Sequence, residues 1–288
     1  MISGITEIAD KYDGFIFDVW GVLYNGVSLF DGVIPTLTYL KEQGKEVVLL
    51  TNSPRRAYNI SNQLEERGLN KDLYKTIISS GELAFKALQA RNDDFHTACG
   101  TACYYLGPEK FLHALTDSTE ITIVDDLHSA SFACVSHIEE STGDTAALIE
   151  LQKQLLDKNI PLLCTNPDLT VRFGDHIKIC GGTFAKEYQE MGGNVFFHGK
   201  PHRPCYEETQ KALGITDKKR ILAIGDSIKT DITGAKSYGI DALLNLPGVH
   251  WDEFLDTEND NRLCHTKLSA FIQEAAFKPD YIMNGITL

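Results

Sequence analysis

Short apolar runs recur along the chain, and most end in a polar residue or a glycine. Phe15-Ile16-Phe17 ends at Asp18, and a glycine-containing loop, Trp20-Gly21-Val22-Leu23-Tyr24-Asn25-Gly26, follows. Pro35 to Gln43 predicts a helix with Leu37 and Leu40 on one face, stopped by Gly44. The next strand-like run, Glu46-Val47-Val48-Leu49-Leu50, ends at Thr51-Asn52-Ser53, and Pro54 stands where a helix can begin. Residues 55–67 are polar around Ile60 and Leu64, spaced by four, and Gly68 closes them. Ile77-Ile78 predicts a short strand, and Ser80 a cap for a helix around Leu83–Leu88, with Glu82 in its first turn. Such alternation of strand and helix predicts a parallel sheet.

From about residue 90 to 180 the pattern is less regular. Phe95–Cys99, Ile121–Val124, Phe132–Ser136 and Pro161–Cys164 read as strands, Thr145–Leu156 as a helix, and Thr165-Asn166-Pro167-Asp168 as a polar loop. Alternation resumes near residue 183. Helices are predicted at Phe184–Met191, Tyr206–Leu213 and Ile228–Tyr238, and strands at Asn194–Phe197, Arg220–Ile224, Ala242–Leu244 and Tyr281–Met283, the last after a late polar helix. The predicted organisation is a core α/β unit formed by residues 1–80 and 180–288, with a smaller α/β unit, 81–179, inserted between them.

Composition narrows the function. The 288 residues are enough for two domains of ordinary size or one large α/β domain, and with 43% hydrophobic residues a real core can be built. With 40 acidic against 27 basic residues the net charge is -13, which argues against a nucleic-acid backbone as partner. A small anionic substrate stays open, because a local metal or lysine can outweigh the global field. The first fourteen residues lack the apolar run of a signal peptide, and no run approaches eighteen apolar residues, so neither a leader nor a membrane span is expected. Seven cysteines without a CxxC pair read as reduced thiols, and the expected location is cytoplasmic. The nine histidines form no HExxH, and neither GxGxxG nor GxxxxGK[ST] occurs, so zinc, dinucleotide and P-loop readings lack support.

Candidate chemistry collects at strand ends. Asp18, Thr51, Gly199-Lys200-Pro201 and Asp226 all follow or end predicted strands, and open parallel sheets bind ligands outside the carboxyl ends of their strands. Asp18 suits a nucleophile or a metal ligand, and equally an Asp opening a turn. Asp226 and Asp231, in GDSIKTD, suit Mg²⁺ as oxygen ligands, and equally a helix start with acids in its first turn. Thr51 and the N–H groups after it suit a phosphate cradle or ordinary capping by Ser53. Lys200 suits a cation between phosphate and carboxylate, or a solvated turn lysine. His198 and His202 flank it without pointing to a proton-transfer role. Arg55-Arg56 can face a substrate or offset acidic surface. Cys99 and Cys103 read as small buried apolar residues, and Asp125-Asp126 and Asp256–Asp260 as solvated charge.

The segments FIFDVWGVLYNG at 15–26, LLTNS at 49–53, GKP at 199–201 and GDSIKTD at 225–231 resemble, in order, spacing and strand context, the four motifs of the haloacid dehalogenase-like hydrolases. The resemblance covers nearly the whole chain. It is closest to class IIA, the NagD-like and p-nitrophenylphosphatase-like enzymes, and to a bacterial subgroup whose first motif reads DxWG. CTNPD at 164–168 resembles that class's cap-side ATNPD motif. The resemblance implies a Rossmann-like parallel-sheet core with an inserted α/β cap of the class IIA type. It implies that Asp18 is a nucleophile taking a phosphoryl group, with Mg²⁺ on the Asp18 carboxylate, the Trp20 carbonyl, Asp226 and, directly or through water, Asp231. Thr51 and Lys200 would hold the phosphoryl oxygens. Asn52, Ser53, Asn166 and Asp168 would join them in binding a small phosphorylated metabolite, and the cap would select the leaving group. A homodimer is what the wider class implies.

One position departs from the family. Its phosphatases usually carry DxD in the first motif, and the second Asp protonates the leaving oxygen and then activates water. Here that position is Trp20, whose indole N–H is a poor acid and offers no base. Two other readings follow: a phospho-ligand binder without turnover, and a dehalogenase, since haloacid dehalogenases carry Tyr there. Both acids of GDSIKTD argue against the metal-free dehalogenases. So does the short stretch between Asp18 and Thr51, too small for the lid those enzymes place there.

Overall fold

The computed structural model describes residues 1–117, 119–138, 145–173, 176–256 and 262–288. In chain order, β1 (Gly14–Phe17), β2 (Glu46–Thr51) and β3 (Thr76–Ser79) start one sheet. Strands β4 (Ala102–Leu106), β5 (Thr122–Val124), β6 (Phe132–Val135) and β7 (Leu162–Cys164) form a second. A hairpin of β8 (Thr170–Phe173) and β9 (His176–Ile179) follows, and β10 (Val195–Phe197) completes the second sheet in the order β10-β7-β6-β4-β5. The chain then returns through β11 (Ile221–Gly225), β12 (Asp241–Asn245), the small hairpin of β13 (Leu255–Asp256) and β14 (Arg262–Leu263), and β15 (Tyr281–Met283). The first sheet runs β15-β12-β11-β1-β2-β3, and all of its pairings are parallel.

Side chains of the core strands alternate between two buried faces, as the twofold pleat requires. Phe15, Phe17, Val47, Leu49, Leu222 and Ile224 pack on one side, and Ile16, Val48, Leu50, Ile221 and Ala223 on the other. The second sheet repeats the pattern. Cys103, Phe132, Cys134 and Leu163 share one face, and Ala133, Val135, Leu162 and Cys164 the opposite one. The cysteines there serve as small apolar packing groups, with Cys99 buried beside Cys103. Among the described residues, no helix is long and apolar enough to cross a membrane.

Several local expectations change. Phe95–Cys99 is not a strand: Asp94–Ala98 is a short helix, because the Asp93 side chain accepts the His96 N–H at 2.9 Å and caps it. Cys103, not Cys99, lies in the strand. The helix near Leu83 is capped by Ser79, whose Oγ accepts from the Glu82 N–H, rather than by Ser80. Asn194–Phe197 does not return to the core. Val195–Phe197 pairs with β7, so the inserted unit extends past residue 180 to the turn before Lys200. The Gly181–Glu190 helix packs there too, with Phe184, Ala185 and Tyr188 against Val135 and Leu162. The hairpin of β8 and β9 has no counterpart among the elements expected from sequence. Asp125 and Asp126 are exposed, and of the acidic run Asp256–Asp260, residues 257–260 lie outside the described residues.

Candidate active site

Parallel pairing brings the strand-end residues to one edge. Phe17 of β1 lies opposite Ile224 on one side and Leu49 on the other. The Asp18 N–H still pairs with the Ile224 carbonyl at 2.9 Å, one residue past β1. Neighbouring strands are ~4.8 Å apart, so groups leaving adjacent strands at one level meet. Asp18 and Asp226 do so, Thr51 lines the same cleft, and all three are buried. The chain runs outward from β1 through β2 to β3, then resumes on the other side at β11. The cluster thus sits at the point where strand order reverses, the usual ligand crevice of such sheets.

Asp231 enters from a π-helical turn, Ile228–Ile232, where one continuous helix was expected. Ser227 Oγ accepts from the Thr230 N–H at 3.3 Å, and the Ser227 N–H donates to Asp231 Oδ2 at 3.2 Å. That contact turns the carboxylate back towards the end of β11. Single π turns recur at functional sites. One oxygen from each of Asp18, Asp226 and Asp231 lies within 4.8 Å of the other two.

Lys200 closes the cluster. Its buried Nζ donates to Asp18 Oδ1 at 2.5 Å and to Asp231 Oδ1 at 2.7 Å. Asn52 grips the backbone behind it: the Lys200 N–H donates to Asn52 Oδ1 at 2.7 Å, and Asn52 Nδ2 donates to the Lys200 carbonyl at 2.9 Å. The same Nδ2 donates to Asp168 Oδ1 at 2.8 Å. Gly199 permits this close approach. Its φ is +114°, and a Cβ there would lie 2.2 Å from Ser80 Oγ and 2.4 Å from Asn52 Oδ1. Asn166 Oδ1 accepts from the Asp168 N–H at 3.3 Å, closing the loop after β7. These residues face a cleft of about 1400 Å³ lined from both the core and the inserted unit.

Residues 15–119 match the family model described as haloacid dehalogenase-like hydrolase, and residues 197–287 match one described as HAD-hydrolase-like. Asp18 and Thr51 fall in the first segment, Lys200, Asp226 and Asp231 in the second. The chain belongs to the haloacid dehalogenase-like hydrolase superfamily. A 4-nitrophenylphosphatase of Schizosaccharomyces pombe is 26% identical over 268 residues, 86% of this chain and 88% of that protein. The crystal structure of a haloacid dehalogenase-like hydrolase from Brucella suis 1330 is similar over 99% of this chain and 100% of its own, with a TM-score of 0.82 and 27% identity. NagD of Escherichia coli K-12 shares the fold at a TM-score of 0.66 and 20% identity, over 96% of this chain and 97% of its own. The relationship is thus to the NagD-like and p-nitrophenylphosphatase-like class IIA members of the superfamily, and the chain is an enzyme of hydrolase type.

The acids of GDSIKTD set this chain apart from the metal-free members of the superfamily, and the donor set of Asp18, Asp226 and Asp231 fits a hard divalent cation. Three buried carboxylates meet, and the one ammonium among them contacts two, Asp18 and Asp231. Burial holds the Asp18 carboxyl well above the ordinary range, Lys200 pulls it down, and Asp231 and Asp226 push it up. Burial and the Asp231 charge push Asp226 up to about 7. Burial works against the Lys200 charge, but Asp18, Asp231 and Asp168 outweigh it and hold the ammonium above the usual lysine range. The cluster is therefore short of positive charge where its oxygens meet, and hard cations favour carboxylate oxygen. In Asp168, burial again raises the carboxyl, to about 6, against the pull of Lys200 and Asn52.

The other expected residues have distinct placements. Thr51 Oγ1 accepts from the Ser53 N–H at 3.2 Å, so Thr51 and Ser53 form a local turn. The helix expected at Pro54 begins only at Ala57, which leaves residues 52–56 as a loop in place of a helix N-terminus. Asn52, expected to meet substrate, has its amide committed to Lys200 and Asp168. Trp20 is half-buried, lines the cleft, and packs edge-on against Tyr24 at 5.2 Å. The turn after it needs glycine: Gly21 has φ +78°, and a Cβ would lie 2.1 Å from Asp226 Oδ2. His198 Nε2 lies 3.0 Å from His96 Nε2, and His96 Nδ1 lies 2.7 Å from Asp93 Oδ2. His202 stacks on Phe197. Neither His198 nor His202 lines the cleft.

Two supports were missed in the sequence. Asn245 Nδ2 donates to the Gly21 carbonyl at 2.9 Å, and the Val249 N–H donates to Asp226 Oδ2 at 2.7 Å. Asn245 ends an apolar strand as Thr51 does, so the strand-end pattern could have found it. Val249 acts through its backbone and carries no sequence signal.

Proposed function

We propose that this hydrolase removes phosphate from small phosphate monoesters and acyl phosphates through an aspartyl-phosphate on Asp18, with Mg²⁺ as the metal. The observation that carries this reading is the buried Asp18 carboxylate, 2.5 Å from Lys200 Nζ and clustered with Asp226 and Asp231 at the edge of a cleft. Asp18 attacks phosphorus, the bond to the leaving oxygen breaks, and that oxygen keeps the electron pair. Lys200 aligns the carboxylate and offsets charge on the phosphoryl oxygens. Thr51, whose oxygen already accepts from Ser53, has its O–H proton to donate to one of them. Water then attacks the aspartyl-phosphate, restoring Asp18 and releasing inorganic phosphate. Asp18, Asp226, Asp231 and the Trp20 carbonyl would hold Mg²⁺, which when bound supplies positive charge against the phosphoryl oxygens.

Trp20 restricts the leaving group. General acid–base catalysis is worth ~10²–10⁴ in rate, or ~3–5 kcal/mol of barrier. An indole in the acid's position forfeits that term, and aryl and acyl phosphates suffer least because their leaving oxygens need little protonation. The S. pombe relative's name, 4-nitrophenylphosphatase, is that of an enzyme acting on such an ester. The same Trp20 favours a second reading, a phospho-ligand binder without turnover. Against it stands Asp18, a carboxylate that repels phosphate unless it reacts.

The test is turnover of 4-nitrophenyl phosphate and acetyl phosphate with and without Mg²⁺, in the parent and in Asp18→Asn. The expected result is Mg²⁺-dependent turnover, abolished by the substitution. Phosphate binding without turnover in the parent supports the binder, and undiminished turnover by the variant rules out the covalent route.

A further inference from the structure

Beyond the phosphate site, the cleft wall carries cations that the mechanism does not use. Arg55 and Arg56 are neighbours with opposite fates. Arg56 is tied down structurally: its Nε donates to Glu82 at 2.7 Å, its Nη1 lies 3.5 Å from Asp117, and its guanidinium covers the Phe85 ring. Arg55 instead lines the cleft, half-buried, with Nη1 donating to the neutral amide oxygen of Gln63 at 2.5 Å. Among the described residues no carboxylate lies within ion-pair distance of it. Burial draws its pKa below the usual arginine range, with Arg67 adding to the effect and Tyr24 opposing it. On the facing inserted unit, Phe111 presents its ring 5.4 Å from the Arg55 guanidinium, and Lys110 Nζ lies 5.2 Å from the same ring. Two cations thus flank one aromatic wall of the cleft in a chain of net charge -13.

The backbone under Arg55 is fixed. Ser79 Oγ donates to the Arg55 carbonyl at 2.6 Å, and the Gly81 N–H donates to the Ser53 carbonyl at 3.1 Å. Arg55 lies four positions after Thr51, so their Cα atoms are at most ~14 Å apart. Both residues line the same cleft, so one small organic scaffold can face the two at once. A desolvated guanidinium is best satisfied by a planar, bidentate anion.

We infer that Arg55 is a specificity residue that binds a carboxylate on the leaving group, so that the preferred substrate is a phosphomonoester whose organic half carries a second anion. Lys110 reinforces it from the inserted unit, and Phe111 packs on the scaffold between the two anions. This inference rests on the phosphatase reading above.

The test compares 4-carboxyphenyl phosphate with 4-carbamoylphenyl phosphate, which are close in shape and differ in that second charge. The parent should favour the carboxylate in kcat/KM by about tenfold or more, the scale of one charged hydrogen bond. Arg55→Gln should bring the ratio near one, and Arg55→Lys should restore part of it. A parent ratio near one, or a ratio unchanged in Arg55→Gln, overturns the inference. Calorimetric titration of both esters into Asp18→Asn reads the same preference as a ratio of Kd values. If the parent turns over neither ester, the phosphatase reading fails. The Kd ratio then decides Arg55 by itself: about tenfold supports the subsite, and near one rejects it.

Discussion

Asp226 shows how much one carboxylate is constrained by its neighbours. It accepts from the Val249 N–H, has Gly21 and Gly248 pressed against it, and shares the cluster with Asp18 and Asp231. Replacing it with Asn keeps an oxygen for Val249 and removes one of three crowded negative charges. Mg²⁺ affinity should fall by at least about tenfold, one lost charge-assisted contact. The protein in chelator should unfold at the same temperature as the parent or higher, because like-charge repulsion is relieved. Calorimetry with Mg²⁺ and thermal unfolding in EDTA check this, and an unchanged affinity contradicts the ligand assignment. At this scale the sequence was legible wherever a polar residue closes an apolar strand, as at Asp18, Thr51 and Asp226. It was not legible where a side chain's direction decides. Nothing in the letters of Asn52 shows that its amide holds the Lys200 backbone and Asp168 at the edge of the cleft.

Among the elements, the turn from β10 to Lys200 buries a titratable side chain. His198 is buried against His96, which Asp93 holds from its other ring nitrogen. Burial and then the His96 charge lower the His198 pKa to about 3, Asp93 opposes them, and His202 adds slightly. A histidine with a depressed folded-state pKa stays neutral in the native protein while the unfolded chain takes up a proton. Stability is therefore full above about pH 6.5 and falls as pH drops from there towards 3, by up to ~1.4 kcal/mol per unit. His198→Gln should show a shallower loss between pH 7 and 5 in urea unfolding, and equal slopes would contradict the neutral buried state. The elements missed in sequence share a cause. Phe95–Cys99 has a strand-like apolar content, but one capping bond from Asp93 makes it helical. Val195–Phe197 looks like any core strand, and only its pairing with β7 shows which sheet it joins.

For the whole molecule, the parallel architecture followed from strand–helix alternation, and the four motif segments meet at the reversal of strand order because the topology allows little else. The boundary of the inserted unit was harder, because both sheets are parallel and their strands have the same composition. The two units together form the cleft: the core brings Asp18, Lys200, Asp226 and Asp231, and the inserted unit brings Asn166, Asp168 and Phe111. The proposed reaction transfers a phosphoryl group to Asp18 in this cleft, with Trp20 where an acid would stand. It is tested most directly by the dependence of log kcat/KM on leaving-group pKa across a series of aryl phosphates in Mg²⁺. A steep fall is expected as the leaving oxygen becomes more basic, flattened in Trp20→Asp protein shown to be folded. A shallow slope in the parent would mean that a proton reaches the leaving oxygen from another group, and would contradict it.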